Sequence, residues 1–146
     1  MSILADTNVL LRRTQPDHPS HGLAVESVAR LLAAGEPVYF TLQNMSEFWN
    51  LATRPTANNG LGFSVALALR ELEKIERFLS ALPDSPAVYG EWKRLVVQHS
   101  VLGSKVHDAK LVAMMNVHGI HRILTFNTAD FARYDIEAIH PVSLLS

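Results

Sequence analysis

An acid placed between two apolar runs near the start of the chain is the feature that most constrains the fold. The run Ile3-Leu4-Ala5 ends at Asp6, and Val9-Leu10-Leu11 follows after two polar residues. A continuous apolar run is typical of a strand covered on both faces, so it predicts a short buried strand. Asp6 would then lie at the carboxyl end of that strand, where open α/β sheets bind ligands. The alternative is that Asp6 only caps the helix that follows.

Strand-like and helix-like segments alternate along the rest of the chain. Further strands are predicted from β-branched and aromatic residues or turn boundaries at 37–42, 83–88, 122–126 and 136–142. Helices are predicted from apolar spacing and Gly or Pro stops at 21–34, 44–53, 63–82, 89–99 and 105–118, with a short one within 127–134. This alternation predicts an α/β fold, a three-layer α/β/α sandwich with a central parallel sheet of four to five strands. We expect one domain over residues 1–146.

The composition excludes several kinds of chemistry. The chain has no Cys, which rules out disulfides, thiolate nucleophiles and Cys-ligated zinc. The net charge of −1 argues against a broadly basic nucleic-acid surface but permits a local basic rim. We see no N-terminal signal and no apolar run of membrane-spanning length, so we expect a cytoplasmic protein without a membrane partner.

Four acids fall near the same predicted edge of the sheet. Each follows a strand or opens a helix: Asp6, Glu47, Asp108 and Asp130. In a parallel sheet those ends share one edge, so the four side chains could converge on one pocket. Taken singly, each acid could equally be a helix-dipole or turn residue. The prediction of a shared pocket therefore depends on the four positions together.

Converging carboxylates predict a bound cation. Carboxylates a few ångströms apart repel one another, and some would hold protons unless a cation joined them. Oxygen ligands suit Mg²⁺ or Mn²⁺, and such ions activate water and neutralise charge on a phosphoryl group. The pattern therefore indicates metal-assisted phosphodiester chemistry.

Four segments of the chain resemble a known family, the PIN-domain ribonucleases, and in particular the VapC-type toxins of type II toxin–antitoxin modules. The matching segments are D-T-N at 6–8, N-M-S-E-F-W-N-L-A-T-R-P at 44–55, H-D-A-K-L-V-A at 107–113 and L-T-F-N-T-A-D-F at 124–131. They occur in the family's order and spacing. The resemblance implies an α/β/α sandwich and a Mg²⁺-dependent endoribonuclease, with Mn²⁺ able to substitute, that cuts single-stranded or looped RNA. It also implies a homodimer silenced by a cognate antitoxin protein.

The resemblance also implies roles for individual residues. The family's three main acids match Asp6, Glu47 and Asp108, and its more variable fourth acid matches Asp130. The supporting polar groups that would orient acids or water are Asn8, Thr125 and Asn127. We expect water activated by one or two metal ions to attack the scissile phosphorus in line with the leaving 3′ oxygen. The products would carry a 5′ phosphate and a 3′ hydroxyl.

Contacts to the RNA backbone must come from local basic groups, because the net charge is near zero. Six basic residues are predicted near the edge: Arg12, Arg13, Arg54, Lys105, Lys110 and Arg133. Most of them are ordinary solvated surface residues on this interpretation. Arg54 and Lys105 are the two predicted to contact phosphate.

Other functions remain open at this point. A haloacid-dehalogenase-like phosphatase also uses an Asp after its first strand, but it usually needs D-x-D-x-T, and here Asn8 replaces the second acid. A receiver-like interaction domain would want a Lys after a late strand, and Phe126 stands there instead. A PIN domain that has lost activity and only binds RNA or protein is the third alternative. Metal-dependent RNA cleavage separates these alternatives, since a phosphatase turns over small phosphate esters.

Overall fold

The computed structural model describes residues 1–145 of the chain. The strands are β1 (Ile3–Ala5), β2 (Val38–Phe40), β3 (Ser80–Ala81), β4 (Arg122–Leu124) and β5 (Glu137–Ile139). The helices are α1 (Thr7–Arg12), α2 (His21–Ala33), α3 (Leu42–Thr53), α4 (Val65–Phe78), α5 (Ala87–Gln98) and α6 (Val106–His118). Short 3₁₀ turns cover Thr56–Asn58, Gly103–Lys105, Thr128–Phe131 and Pro141–Leu144. In residues 1–145 we find no helix long and apolar enough to cross a bilayer.

The five strands form one fully parallel sheet in the order β3-β2-β1-β4-β5. β1 lies at the centre, with Leu4 opposite Tyr39 on one side and Ile123 on the other. Helices flank the sheet, so the predicted three-layer α/β/α sandwich with four to five strands is confirmed. Because all strands run the same way, the residues after β1, β2 and β4 meet at one edge.

Each face of the sheet has its own hydrophobic core. Alternate strand residues point to opposite faces. Ile3 and Ala5 pack with α1 to α4, whereas Leu4 packs with α5 and α6, and all three are fully buried. Burial on both faces explains the unbroken apolar run that predicted β1.

The connection between β2 and α3 lies two residues earlier than the sequence suggested. Thr41 ends the strand segment and caps α3, since its hydroxyl accepts the Asn44 N–H while the Asn44 side chain accepts the Thr41 N–H. This capping box satisfies amide groups left open at the helix start. The helix therefore begins at Leu42 rather than Asn44, which places Glu47 in its second turn and corrects the predicted first-turn position.

The third strand was predicted in the wrong place. Residues 83–88 form no strand, and β3 lies at Ser80–Ala81, where Leu82 N–H donates to the Phe40 carbonyl at 2.8 Å. The spacing of Leu79 and Leu82 fits one stripe of a helix, and it misled the prediction of a helix over 63–82. In the structure Leu79 packs in the core under α1 to α4 and Leu82 in the other core. Residues three apart on a strand point to opposite faces, whereas on a helix they share one.

The remaining boundaries differ by a few residues. β4 and β5 are each three residues long, and the predicted strands over 122–126 and 136–142 are therefore too long. The expected helix within 127–134 is the 3₁₀ turn at Thr128–Phe131. β4 ends at Leu124 and β5 at Ile139, and Thr125 and His140 follow in the loops.

Gly60 is required by the packing of the loop after α3. A Cβ at this position would overlap the carbonyl of Arg54, and that backbone cannot move aside cheaply. We expect Gly60→Ala to lower the free energy of unfolding by about 2–3 kcal/mol in urea titrations. The control is Gly22→Ala in α2, where nothing lies within 4 Å of a new Cβ. That change should raise stability by about 0.5 kcal/mol, and equal effects of the two substitutions would contradict the prediction.

Candidate active site

Polar residues gather at the carboxyl edge of the sheet, where the central strands end. Asp6 follows β1, Thr41 follows β2 and Thr125 follows β4. The edge is closed from the sides by the N-terminal ends of α3 and α6, which present Glu47 and Asp108. Asp130 comes from the 3₁₀ turn after β4. The structure therefore brings the four predicted acids to one edge.

Asp6 has the most enclosed position. Its Oδ1 accepts the Thr7 N–H at 2.8 Å, which makes it the N-cap of α1. Its Oδ2 accepts the Thr125 hydroxyl at 2.8 Å. Its own N–H donates to the Leu124 carbonyl at 2.9 Å, so the residue is fixed between β1 and β4. Asp6 is therefore the N-cap of α1 and a candidate site residue at the same time, and the two interpretations do not exclude each other.

The environment of Asp6 favours its protonated form. Burial raises the pKa of Asp6 from 3.8 to about 6, against the lowering effect of the hydrogen bonds from Thr125 and Thr7. The negative charges of Asp108 and Glu47 raise it further. A carboxyl group with this pKa can exchange a proton near neutral pH, and a nearby cation would return it to the charged form.

Asn8 ties the end of β1 to the end of β4. Its Nδ2 donates to Thr125 Oγ1 at 3.3 Å and reaches Asp6 Oδ2 at 3.5 Å, and its Oδ1 accepts the Phe126 N–H at 3.3 Å. Thr125 is fully buried and also accepts the Asn127 N–H at 3.0 Å. Asn127 therefore reaches the site through its main chain, and within residues 1–145 its side chain makes no hydrogen bond. Asn8 and Thr125 lie where groups that orient Asp6 would have to lie.

Thr7 holds Glu47 through a chain of hydrogen bonds. The Thr7 hydroxyl donates to Glu47 Oε2 at 2.8 Å and accepts from Asn44 Nδ2 at 3.1 Å. Asn44 is fully buried, and its Oδ1 accepts from both the N–H and the hydroxyl of Thr41. One network therefore joins the start of α3 to the start of α1. From the sequence alone, Thr7 was given no role, and this network was missed.

Gln43 is a second residue that the sequence reasoning missed. Its Nε2 donates to Glu47 Oε1 at 3.0 Å and to the His107 carbonyl at 3.0 Å, so it joins α3 to α6 across the edge. Its Oε1 is buried and has no donor within the described chain. The available signal was its spacing of four residues from Glu47, which puts both side chains on one face of α3.

Lys105 lies close to two of the acids, Asp108 and Asp130. Its Nζ donates to Asp130 Oδ1 at 3.0 Å and lies 4.0 Å from Asp108 Oδ2. Burial raises the pKa of Asp108, and the charge of Asp130 raises it further. The hydrogen bond to Asp130 raises the pKa of Lys105. These side chains border a cavity of about 120 Å³, which Ala129, Arg133 and Tyr134 complete.

The donor chemistry fits a divalent metal ion, although the side chains are not arranged as a finished ligand set. In the described chain, no three His, Asp or Glu side chains are grouped closely enough to hold a metal. Like charges oppose a closer grouping, and each acid is held by one or more of Thr7, Gln43, Thr125 and Lys105. The all-oxygen set and the unpaired Gln43 Oε1, which could accept from a hydrated ion, suit Mg²⁺ or Mn²⁺. Small side-chain movements, with Lys105 displaced, would be needed.

Arg54 lies away from this edge. It follows the last residue of α3, seven positions beyond Glu47, which is about 10 Å along a helix axis. Its predicted contact with RNA therefore requires a strand that extends well beyond the acids. Lys105, in contrast, lies among the acids and is half exposed.

The raised pKa of Asp6 predicts a pH-dependent stability. Its folded-state pKa of about 6 lies above the unfolded value near 3.8, so its contribution is fully present below about pH 4 and is lost as pH rises through 6. Asp6→Asn removes this loss. We expect the variant to be more stable than the wild type by about 1–3 kcal/mol at pH 8 and by little at pH 4.5, in urea titrations without divalent ions. A stability difference that does not change with pH would contradict the assignment.

Sequence comparison finds matches that extend over nearly the whole chain. A model of the PIN domain matches residues 3–137. Ribonuclease VapC48 from Mycobacterium tuberculosis is 29% identical over 140 residues, which are 92% of this chain and 93% of that protein. The match therefore extends over both hydrophobic cores and all four acids.

Solved structures have the same fold at lower identity. VapBC2 from Rickettsia felis, bound to a DNA fragment from its promoter, aligns with a TM-score of 0.68 at 15% identity over 96% of this chain and 98% of that chain. VapC20 from Mycobacterium tuberculosis, a toxin that cleaves the sarcin-ricin loop, aligns with a TM-score of 0.64 at 21% identity over 92% of this chain and 97% of that chain. With its fold, its edge of acids and a family model matched over nearly its whole length, the chain belongs to the PIN domain family.

Proposed function

We propose that this chain is a Mg²⁺-dependent endoribonuclease, in which Mn²⁺ can substitute, and that it is the toxin of a toxin–antitoxin pair. The observation that supports this most is the convergence of Asp6, Glu47, Asp108 and Asp130 on one sheet edge, with burial and mutual repulsion raising the pKa of Asp6. The ribonuclease name of the M. tuberculosis relative supports the same chemistry.

The four acids would hold the metal, and neighbouring polar groups would orient them. A divalent ion at this position supplies an activated water and neutralises charge on the phosphoryl group. Thr125 and Asn8 fix Asp6, and Thr7 with Gln43 fixes both oxygens of Glu47. These bonds leave few rotamers open to either carboxylate, so little freedom is lost when they bind a cation.

Asp108 and Lys105, on the more open side of the site, would accept the proton and contact the phosphate. The attacking water must lose a proton, and Asp108 is the suited acceptor, since its side chain is 27% exposed. Lys105, which lies near Asp108 and Asp130, would be free to contact a phosphate oxygen if a bound cation neutralised those acids. The leaving 3′ oxygen would take a proton from solvent water and depart as a hydroxyl, and the phosphate would stay on the 5′ end of the downstream fragment.

The partners follow from the same family relationship. The R. felis structure contains VapBC2, and we propose that this chain likewise has an antitoxin protein that inhibits it. We also propose a homodimer, a single domain over the whole chain and a cytoplasmic location. Light scattering of the purified protein tests whether it is a dimer. The antitoxin is tested by co-purification with the product of a short neighbouring gene, and binding of that product should stop RNA cleavage.

A phosphatase is the second candidate, because an acid follows the first strand. In the structure Asn8 stands where such enzymes place their second acid. Its side chain forms hydrogen bonds with Thr125 and Phe126. No second carboxylate therefore comes from that position. A small phosphate ester offered with Mg²⁺ separates the two functions, since only the phosphatase would hydrolyse it.

Removal of the Asp6 charge should abolish cleavage without loss of the fold. We expect Asp6→Asn to lower the rate of cleavage of a single-stranded RNA in Mg²⁺ by more than about 100-fold. The control is Glu76→Gln on the exposed side of α4, which should cleave as the wild type does. Product ends are checked for a 5′ phosphate and a 3′ hydroxyl. Undiminished cleavage by the Asp6 variant would overturn the site.

Thr7 should act by positioning Glu47. Thr7→Val keeps the shape but removes the hydroxyl that Glu47 accepts from, so we expect a 10- to 100-fold loss of activity and a higher Mn²⁺ concentration at half-maximal rate. Thr7→Ser restores the hydroxyl and should recover most of both. If the valine variant loses activity with an unchanged Mn²⁺ requirement, or serine gives no recovery, Thr7 has only a structural role.

A further inference from the structure

A second cavity lies beside the acids on the outer side of α6. It has a volume of about 590 Å³ and is lined by residues after β3 and by α5 and α6, among them Pro86, Tyr89, Trp92 and Lys110. This size is within the range of about 300–1,000 Å³ found for small-molecule sites. None of these residues takes part in the acidic site described above.

The cavity borders the start of α6, the helix that also carries Asp108. The residues after β3 leave the sheet at its carboxyl edge, as Asp6 and Thr125 do. Trp92 Nε1 donates to the Val106 carbonyl at 2.9 Å, which joins the cavity wall to the first residue of α6. Asp108 and Lys110 are two residues apart, so they project to nearly opposite sides of the same helix end. A chain that crosses the start of α6 would therefore pass from the acids to the cavity.

Two aromatic rings form the floor of this cavity. Tyr89 and Trp92 have centroids 6.3 Å apart and planes inclined by 28°, so they make an extended aromatic surface. Tyr89 is 68% exposed, so its ring is accessible to a ligand. The indole N–H of Trp92 already donates to the Val106 carbonyl, so only its ring face remains available to contact a ligand.

Charge near the rings favours a nucleic acid over an apolar peptide. The ammonium group of Lys110 borders the cavity and is exposed, and the only acid that lines it is Asp84, whose Oδ1 accepts the Ser85 N–H at 3.0 Å. Aromatic floors beside a basic group are how proteins bind single-stranded nucleic acid, because every base has a face that stacks. An acyl chain or an apolar helix would gain nothing from Lys110.

We propose that Tyr89, Trp92 and Lys110 form a base-stacking subsite that holds a nucleotide of the single-stranded RNA substrate across the start of α6 from the acids. This inference rests on the ribonuclease function proposed above. Tyr89 supplies the stacking face, Trp92 supports it from the same helix, α5, and Lys110 of α6 contacts the adjoining phosphate. The subsite binds RNA and does no chemistry, so its loss affects binding more than the chemical step.

The test compares RNA binding and cleavage in variants at this surface. We expect Tyr89→Ala to raise the Kd for a fluorescent single-stranded RNA about 10-fold, measured by anisotropy in the Asp6→Asn background with Mg²⁺. In the otherwise wild-type protein it should raise KM similarly and leave kcat nearly unchanged. Tyr89→Phe should behave as the wild type, since stacking does not need the hydroxyl. Lys110→Met should lower the slope of log Kd against log salt by about one.

Matched controls and opposite outcomes make the inference falsifiable. Phe78→Ala removes another exposed aromatic and Lys74→Met removes an exposed lysine, both from α4; neither should change Kd. If the wild type cleaves RNA and Tyr89→Ala matches it in Kd and KM, the subsite is wrong while the ribonuclease stands. A change from dimer to monomer in Tyr89→Ala would identify this face as a contact between copies and overturn the subsite.

Failure of the ribonuclease itself gives a different result. If the wild type does not cleave RNA, the proposed enzyme is wrong, and the binding measurement is made with the wild-type chain. A 10-fold weaker Kd in Tyr89→Ala would then still support the subsite. Absence of RNA binding by the wild type would overturn it.

Discussion

The buried carboxylate of Asp6 determines how the rest of the sheet edge is built. A carboxylate enclosed by two strands and a helix start needs donors, and it takes them from Thr7 N–H and the Thr125 hydroxyl. Those donors in turn are held by Asn8 and by the end of β4. Yet these bonds do not offset the cost of burial, and the pKa of Asp6 stays near 6. The folded chain is therefore left with a site that a cation would stabilise.

The four acids fall into two differently satisfied groups. Asp6 and Glu47 are held on the inner side by hydroxyl and amide donors, which are neutral. Asp108 and Asp130 lie on the outer side and share one ammonium group, that of Lys105. Among the described residues, the charge of the inner pair is therefore compensated by no cationic side chain, and that of the outer pair by a single lysine that is half exposed.

The sequence predicted the parts of this arrangement that depend on local patterns. The apolar run before Asp6 and the alternation of strands and helices were sufficient for the parallel α/β/α sheet, and parallel strands bring their following residues to one edge. The sequence did not predict β3, because its two residues form an edge strand defined by pairing with β2, and Leu79 and Leu82 fit a helix equally well. Thr7 was missed because its role depends on a contact between distant segments, and so was the bond of Gln43 to the His107 carbonyl, although the four-residue spacing of Gln43 from Glu47 was a local signal. The pairing of Lys105 with Asp130 likewise joins residues 25 apart in the chain.

The side chain of Asn44 uses both ends of its amide, and this restricts which residue can occupy the position. Its oxygen closes the cap of α3 by accepting from Thr41, and its nitrogen donates to the Thr7 hydroxyl that points to Glu47. Asp would lose the donor, Ser would lose reach, and Gln would displace the cap. Helix initiation and the orientation of an acid thus depend on one side chain that chemistry allows little freedom to vary. The spacing T-x-x-N-x-x-E, from Thr41 to Glu47, is therefore a sequence signature that can be searched for in other chains with an acid after the first strand.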